Sequence, residues 1–397
     1  MAGDQGARII FRDTSTYRDE PMINEIELIP DDQQEDEDDI VKPVTFKDAV
    51  VLNADWTIET INIQIKKGNI DLQPGFQRRV AWDDTRKSRL LESIIVGMPV
   101  PNIVLAENKD HRGRFIVIDG KQRLVSISEF LDGSYKLKGL DIRSDLNDKF
   151  FSDLPIEDRE YLENATLRST LIRNWKDENF LYAIFFRLNS GSLPLSPQEL
   201  RKALVGGNLL DAIDEYLLGS ASFKVIFGDV LDKRMRDSEL VLRFLAFDKN
   251  LQDYRGDFKD FLDTNTRYFE SDWRARETQA TEIFQRLDSA LDMAHSLFGH
   301  DVFKKWLGDR YERVINRALF DCIARFFADR TVVQASVGKE AAIVEAFKQL
   351  CLDRDFRDAI EKTTKSVHAT FFRIDRWGQD LATCLGKTYD QNNRRIC

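Results

Sequence analysis

The stretch Phe115-Ile116-Val117-Ile118-Asp119-Gly120-Lys121-Gln122-Arg123-Leu124 changes character at its middle. Phe115 to Ile118 is a short apolar run that reads as a strand. Asp119-Gly120 is turn chemistry, because glycine lets the backbone bend tightly and approach a ligand. Leu124, Ile127 and Phe130 then recur at helical spacing, which predicts a helix from about Gln122 to Phe130, with Gly133 past its end. A helix that starts directly after a strand presents unpaired N–H groups and a partial positive charge, a setting that favours phosphate. Lys121 and Arg123 add full charges, and arginine grips phosphate with two parallel hydrogen bonds. Asp119 is then placed to hold a metal ion or to orient a water. On these residues alone, an ordinary strand–turn–helix connection with solvated charges fits as well.

Upstream, Ile103 to Ala106 reads as another short strand, joined to the first through a polar loop around Lys109 to Gly113. Residues 83–97 read as a strong helix. Asp83 or Asp84 caps it, Leu90, Leu91, Ile94 and Ile95 form its apolar stripe, and Gly97-Met98-Pro99 ends it. Residues 57–67 suit another helix, with Ile58, Ile61 and Ile65 inward and Lys66 and Lys67 before the Gly68 stop. Ile70 to Phe76 alternates briefly and is broken by Pro74 and Gly75.

Downstream, Tyr135 to Leu137 and Ala165 to Ile172 are strand candidates, and 177–188 is an aromatic-rich helix ending at Asn189-Ser190-Gly191. From Ser196 the pattern is almost wholly helical. Ser196-Pro197-Gln198-Glu199 is a helix start, with serine at the cap, proline first and glutamate third. Periodic segments follow at 198–205, 208–217, 238–247, 256–263, 276–298, 301–328, 338–350 and 355–384, with no repeat of fixed period. The expected class is α+β: an acidic, disordered tail over 1–42, a mixed domain over 43–195 and an all-helical domain over 196–397.

Charge agrees with this division. The 397 residues carry a net −10, but residues 1–42 hold 13 acids against 4 bases, so the body is near neutral. Residues 66–123 hold 12 bases against 7 acids. Such a basic region attracts phosphates, and Lys66, Lys67, Arg79, Arg86 and Lys87 are its candidate nucleic-acid contacts. The run from Asp31 to Asp39 repels itself and reads first as a solvating tail. The alternative is an acidic segment that competes with nucleic acid for the basic surface.

Cys322, Cys351, Cys384 and Cys397 have no metal-ligand spacing, so neither a zinc site nor a disulfide framework is expected. No apolar run reaches the ~18 residues needed to span a bilayer, and no signal peptide is visible. The expectation is a cytoplasmic protein without membrane contact.

Two further clusters carry chemistry. In Gln73-Pro74-Gly75-Phe76-Gln77-Arg78-Arg79-Val80-Ala81-Trp82, two arginines lie beside two aromatics, which suits a phosphate with a stacked base. A basic loop anchored by core aromatics is the plainer reading. Phe186-Arg187-Leu188-Asn189-Ser190-Gly191 is by itself only a helix cap.

In order, these motifs run Pro74…Phe76-Gln77-Arg78…Trp82, Ser88…Glu92-Ser93-Ile94…Pro99-Val100-Pro101, Ile118 to Leu124, Phe186 to Gly191, and Leu195 to Arg201. Together they resemble the N-terminal domain family of the GmrSD-type modification-dependent restriction enzymes, related to the ParB and sulfiredoxin-like fold. The resemblance covers roughly 44–205. Arg234-Met235-Arg236-Asp237-Ser238-Glu239-Leu240 to Asp263 resembles the helical region that often follows.

The resemblance implies nucleotide binding and hydrolysis at the Asp119-to-Arg123 motif, with an NTP, magnesium and an antiphage or restriction role. Asp119, Gln122 and Arg123 are then the catalytic candidates, with Asp119 the magnesium ligand. Gln77, Arg78, Gly120, Lys121, Arg123 and Asn189 are the phosphate-binding candidates. Two departures stand out: Lys121 where glutamine is usual, which adds charge at the phosphate but leaves hydrolysis open, and Phe76 where tyrosine is common. His111, His295, His300 and His368 form no visible nuclease motif of the HNH kind, and there is no Walker A loop.

Three functions follow. The first is an NTP-driven switch in a defence system, acting with a separate effector protein. The second is a DNA-binding adaptor with an inactive nucleotide site. The third is a metal-dependent nuclease, since Asp119-Gly120-Lys121 matches half of an Asp-x-Lys signature with Glu92 or Glu107 as a further acid. That signature needs one continuous strand, which Gly120 is expected to end. The long helices offer docking for an effector or a second copy.

Overall fold

The computed structural model describes residues 49–72, 82–109, 111–176, 180, 181, 183, 184, 196–232, 234–362 and 364–397. The tail, Gln77, Arg78, Arg79 and the end of the aromatic-rich helix at Asn189 lie outside the described residues.

The N-terminal part is a five-stranded mixed sheet. Its strands are β1 (Val50–Thr57), β2 (Ile70–Asp71), β3 (Ile103–Glu107), β4 (Phe115–Asp119) and β5 (Thr166–Arg173), in the order β1-β5-β3-β4-β2. β1 runs antiparallel to β5 and β4 antiparallel to β3, whereas β3–β5 and β2–β4 are parallel. Both faces of the central strands are covered, which is why they read as continuous apolar runs. On one face, Leu105, Val117 and Leu171 pack with Ile58, Ile61, Leu91, Leu124, Ile127 and Phe130. Those residues come from α1 (Ile58–Lys66), α2 (Asp84–Ile95) and α3 (Lys121–Leu131). On the other, Val104, Ala106, Ile118 and Ile172 pack with Trp175, Phe180 and Leu181. Each strand thus sends alternate residues to opposite cores, as a period of two requires.

The short helix α4 (Ile156–Asn164) precedes β5. The helical part begins with α5 (Pro197–Leu204), α6 (Asn208–Gly219), α7 (Ala221–Phe227) and α8 (Arg236–Asn250). It continues through α9 (Phe258–Ser271), α10 (Trp273–Phe298), α11 (Arg317–Phe327), α12 (Arg330–Ser336), α13 (Glu340–Leu352), α14 (Arg354–Glu361) and α15 (Val367–Leu385). A hairpin, β6 (Tyr389–Asp390) with β7 (Arg395–Ile396), closes it. α10 is the spine, touching α6, α7, α8, α9, α11 and α13. The α+β class with a following helical region therefore stands. No helix among the described residues is long and apolar enough to cross a membrane.

Several expected elements differ. Tyr135 to Leu137 forms no strand: Leu137 exchanges backbone hydrogen bonds with Asp148 and Lys149 in a loop, and the Tyr135 hydroxyl donates to the Ser126 carbonyl. Within 301–328 only Arg317–Phe327 is α-helical. Before it, a turn at Gly308 (φ +107°) brings Trp306 opposite Tyr311, and Asn316 caps α11. The segment 355–384 is two helices, because Ser366 starts α15 by accepting from the Ala369 amide. β1, α4, α7 and α12 were not anticipated. β1 is an edge strand with Val50, Val51 and Leu52 exposed, so it lacks the alternation that marks a half-buried strand.

Candidate functional site

The register between β3 and β4 shifts between Val104 and Leu105, so that Val104 pairs with Asp119 while Leu105 pairs with Val117. A bulge of this kind re-aims side chains at a strand end, and here it sets Asp119 as the last residue of β4. Gly120 follows at φ +93°, a left-handed conformation, and a Cβ there would lie 2.6 Å from Ile103 Cγ2. Glycine is required both by the backbone and by the space. α3 starts at once on Lys121. Strand, turn and helix are thus consecutive, and the Asp-x-Lys pair does not lie on one continuous strand.

The N-terminus of α3 is unusual. No side chain caps it, and no acid stands in its first turn. Instead it carries Lys121 and Arg123, two cations at the end where the helix dipole disfavours them. Local conflict of this sort is expected at sites shaped for a ligand.

Arg123 is already committed. Its Nη2 donates to Asp119 Oδ2 at 2.7 Å and to the Asn102 carbonyl at 3.1 Å. It therefore holds Asp119 in place rather than reaching outward. Gln122 Oε1 is buried without a hydrogen-bond partner among the described residues.

Lys121 is pushed down to about 7 by burial, against the pull of the Glu199 and Asp71 carboxylates, with Lys202 pushing further down. Glu199 is the third residue of α5. It accepts the Ser196 amide at 2.6 Å, while its own amide donates to Ser196 Oγ at 3.1 Å. Arg234 Nε lies 3.7 Å from Glu199 Oε2, and Ser196 Oγ donates to the Arg234 carbonyl at 2.7 Å. Burial raises the Glu199 carboxyl above its ordinary range, against the Ser196 amide and Arg234. Next to Arg234, Met235 sits at φ +56°, left-handed for a non-glycine residue. The helical part thus contributes to the surroundings of the α3 N-terminus.

Glu199 and Arg234 were missing from the sequence-derived site. Both stand in motifs singled out by the family resemblance, Leu195 to Arg201 and Arg234 to Leu240. Their proximity to Lys121 depends on α5 packing near β4.

Of the nucleic-acid candidates, Lys66 pairs with Asp132 at 2.6 Å and Lys87 with Glu129 at 2.8 Å. The Arg86 guanidinium lies 4.8 Å from the Trp82 ring centre. Lys67 is exposed at the end of α1. The further acids weighed for nuclease chemistry have structural tasks. Glu92 accepts the backbone amides of Ile142 and Arg143 at 2.7 Å each, and Glu107 accepts the Gly113 amide at 3.0 Å. Among the described residues no group of three or more His, Cys, Asp or Glu side chains is placed to hold a metal. Asp119 alone fits magnesium only if phosphate oxygens and waters supply the other ligands, which is the ordinary arrangement at nucleotide sites.

Residues 58–206 match the family model described as the GmrSD restriction endonuclease, N-terminal domain. No curated protein and no solved structure matches the chain. The match runs from α1 through α5, so it takes in Asp119 to Arg123 and also Glu199.

Proposed function

We propose, from the premise that residues 58–206 are a GmrSD-type N-terminal domain, that this chain is an NTP-binding switch subunit of a restriction-type defence system. It acts with a separate effector protein. The observation that carries the reading is the uncapped α3 N-terminus, with a glycine turn before it and the cations Lys121 and Arg123 in its first turn.

On this reading the phosphates lie over the first turn of α3 and Lys121 contacts them. Asp119, held by Arg123, contributes one oxygen to the magnesium that accompanies the nucleotide. Gln122 offers its unpaired carbonyl oxygen to a water. A phosphate draws the Lys121 ammonium away from Glu199, and Glu199 is tied through Ser196 to Arg234. That chain of contacts is the means by which nucleotide alters the helical part. The ParB/sulfiredoxin-like form of the fold belongs to the same reading.

One observation favours a second reading, in which the nucleotide site binds without turnover and the chain acts as a DNA-binding adaptor. The Asp119 carboxylate is already paired with Arg123, which leaves no free carboxylate in the motif to activate water.

NTP binding and turnover, measured with magnesium for wild type, Asp119→Ala and Arg123→Ala, separate the two. Turnover lost in both variants supports the switch. Binding without turnover in the wild type supports the adaptor. Folded protein with neither sinks the nucleotide site altogether.

A further inference from the structure

The helical part contains a cavity of about 640 Å³, far in sequence from the α3 turn. It is walled by the ends of α8 and α11, the middle of α10, the start of α12 and the strand β7. Such a volume is that of a small-molecule site. Six cationic side chains line it: Lys249, Arg286, Arg325, Arg330, Arg394 and Arg395. Among the described lining residues three carboxylates oppose them, Asp248, Glu282 and Asp329.

Ordinary structural duties account for part of this charge. Arg286 pairs with Asp248 at 2.6 Å, and Arg394 with Asp375 at 3.2 Å. Lys249 and Arg325 stand in the last turns of α8 and α11, where cations offset the helix dipole. Asp329 is occupied in capping α12, accepting the Thr331 amide at 2.8 Å. What remains is an excess of positive charge. Arg330 and Arg395 make no ion pair among the described residues. The Arg325 guanidinium donates through Nη1 to the Phe247 carbonyl at 3.1 Å, but its buried Nε has no partner among the described residues. Burial lowers Arg325 from its ordinary value against the pull of Asp248 and Tyr389, and the neighbouring Arg395 and Arg394 lower it further. A desolvated guanidinium beside two further arginines is costly unless an anion joins them.

We propose that this cavity is a second anion site, which takes a small phosphate-bearing ligand of pyrophosphate or nucleotide size. Arg325 forms its floor, and Arg330 and Arg395 close on the ligand from α12 and β7. Because α8, α10 and α11 all meet there, ligand binding ties the C-terminal hairpin to the core of the helical part. The site is independent of the α3 turn.

The test is calorimetric titration of inorganic pyrophosphate into the full chain carrying Asp119→Ala and Lys121→Ala, at low salt. With the α3 site removed, the expected result is a single remaining site. Adding Arg330→Glu and Arg395→Glu, both at exposed positions, should weaken it at least about tenfold, since each reverses a phosphate-facing charge. Arg325→Gln should weaken it as well. Absence of pyrophosphate binding, or binding indifferent to the two charge reversals, overturns the proposal. A short DNA duplex that binds through Arg330 and Arg395 while pyrophosphate does not would also overturn it, assigning the cavity to a nucleic-acid backbone instead.

Discussion

Arg123 Nη2 lies 2.7 Å from Asp119 Oδ2 and 3.1 Å from the carbonyl oxygen of Asn102. One guanidinium group therefore ties together the end of β4, the first turn of α3 and the segment entering β3. The Arg123 side chain is 14% exposed and that of Asp119 32%, so the pair is partly withdrawn from water and stronger than a surface ion pair. Arg123 is accordingly a positioning residue for Asp119, and Lys121, held among Glu199, Asp71 and Lys202, is the second basic group at the α3 N-terminus.

Arg123→Lys keeps the charge but shortens the side chain, so its ammonium falls short of the position of Nη2, from which both bonds run. The chain should still fold, less stable by about 1 kcal/mol. Nucleotide affinity should fall about tenfold as Asp119 loses its fixed position. Urea denaturation and labelled-nucleotide binding at matched salt check the two effects. Affinity equal to wild type would make Arg123 a structural residue only.

Gly120→Ala places a methyl group 2.6 Å from Ile103 Cγ2 on a backbone at φ +93°. Strain and overlap both act in the folded state, so destabilisation of about 2–3 kcal/mol is expected. A shift in the urea midpoint with unchanged slope would register that loss as a change in stability, without a change in the surface exposed on unfolding. A neutral substitution would mean that β3 can yield, contrary to the tight packing around Ile103.

The strand–turn–helix of the site was legible because Phe115 to Ile118 and Leu124, Ile127 and Phe130 carry two different periods on either side of Gly120. Glu199 was legible only as a capping residue, since Ser196-Pro197-Gln198-Glu199 has local meaning by itself. Its second role depends on α5 packing near β4, a long-range fact that no local pattern encodes. The irregular run 301–316 was misread for a related reason: Phe303, Trp306 and Tyr311 keep an apolar rhythm close to a helical one, although Gly308 turns the chain. β1 escaped because an edge strand with an exposed outer face need not alternate.

Lys121 is held at about 7, below its ordinary 10.5. Between those two values the folded chain binds fewer protons than the unfolded chain, so its contribution to stability rises with pH across that window. Phosphate at the α3 N-terminus favours the charged ammonium, so ligand binding near pH 8 should take up a proton, and affinity should decline as pH rises past about 7. Calorimetry in buffers of different ionisation enthalpy reads the uptake directly. Lys121→Arg, charged throughout, should bind without it. Equal proton uptake in both proteins would assign the titration to another group.

The last expectation concerns the joint between the matched domain and the helices. Arg201 on α5 is fully buried; its Nε donates to Asp263 Oδ1 on α9 at 2.7 Å and its Nη1 to Gln198 Oε1 at 2.6 Å. Lys259 Nζ donates to the other oxygen of Asp263 at 3.0 Å, and Asp263 is held below the ordinary carboxylate range although burial alone would raise it, because Arg201 and Lys259 face it. Asp263→Ala leaves two buried cations without their carboxylate, and a loss of about 3–5 kcal/mol is expected. Asp263→Asn keeps the shape and one acceptor, so it should lose less and remain folded. Because α5 also carries Glu199, loosening its seat on α9 should change the Lys121 surroundings at a distance. On the proposed function, nucleotide affinity measured on folded Asp263→Asn should therefore differ from wild type, although Asp263 belongs to α9 and the proposed nucleotide site lies at α3. Lower stability with unaltered affinity would show that α5 is anchored to the sheet independently of α9, and would remove the proposed coupling between nucleotide and helices through α5.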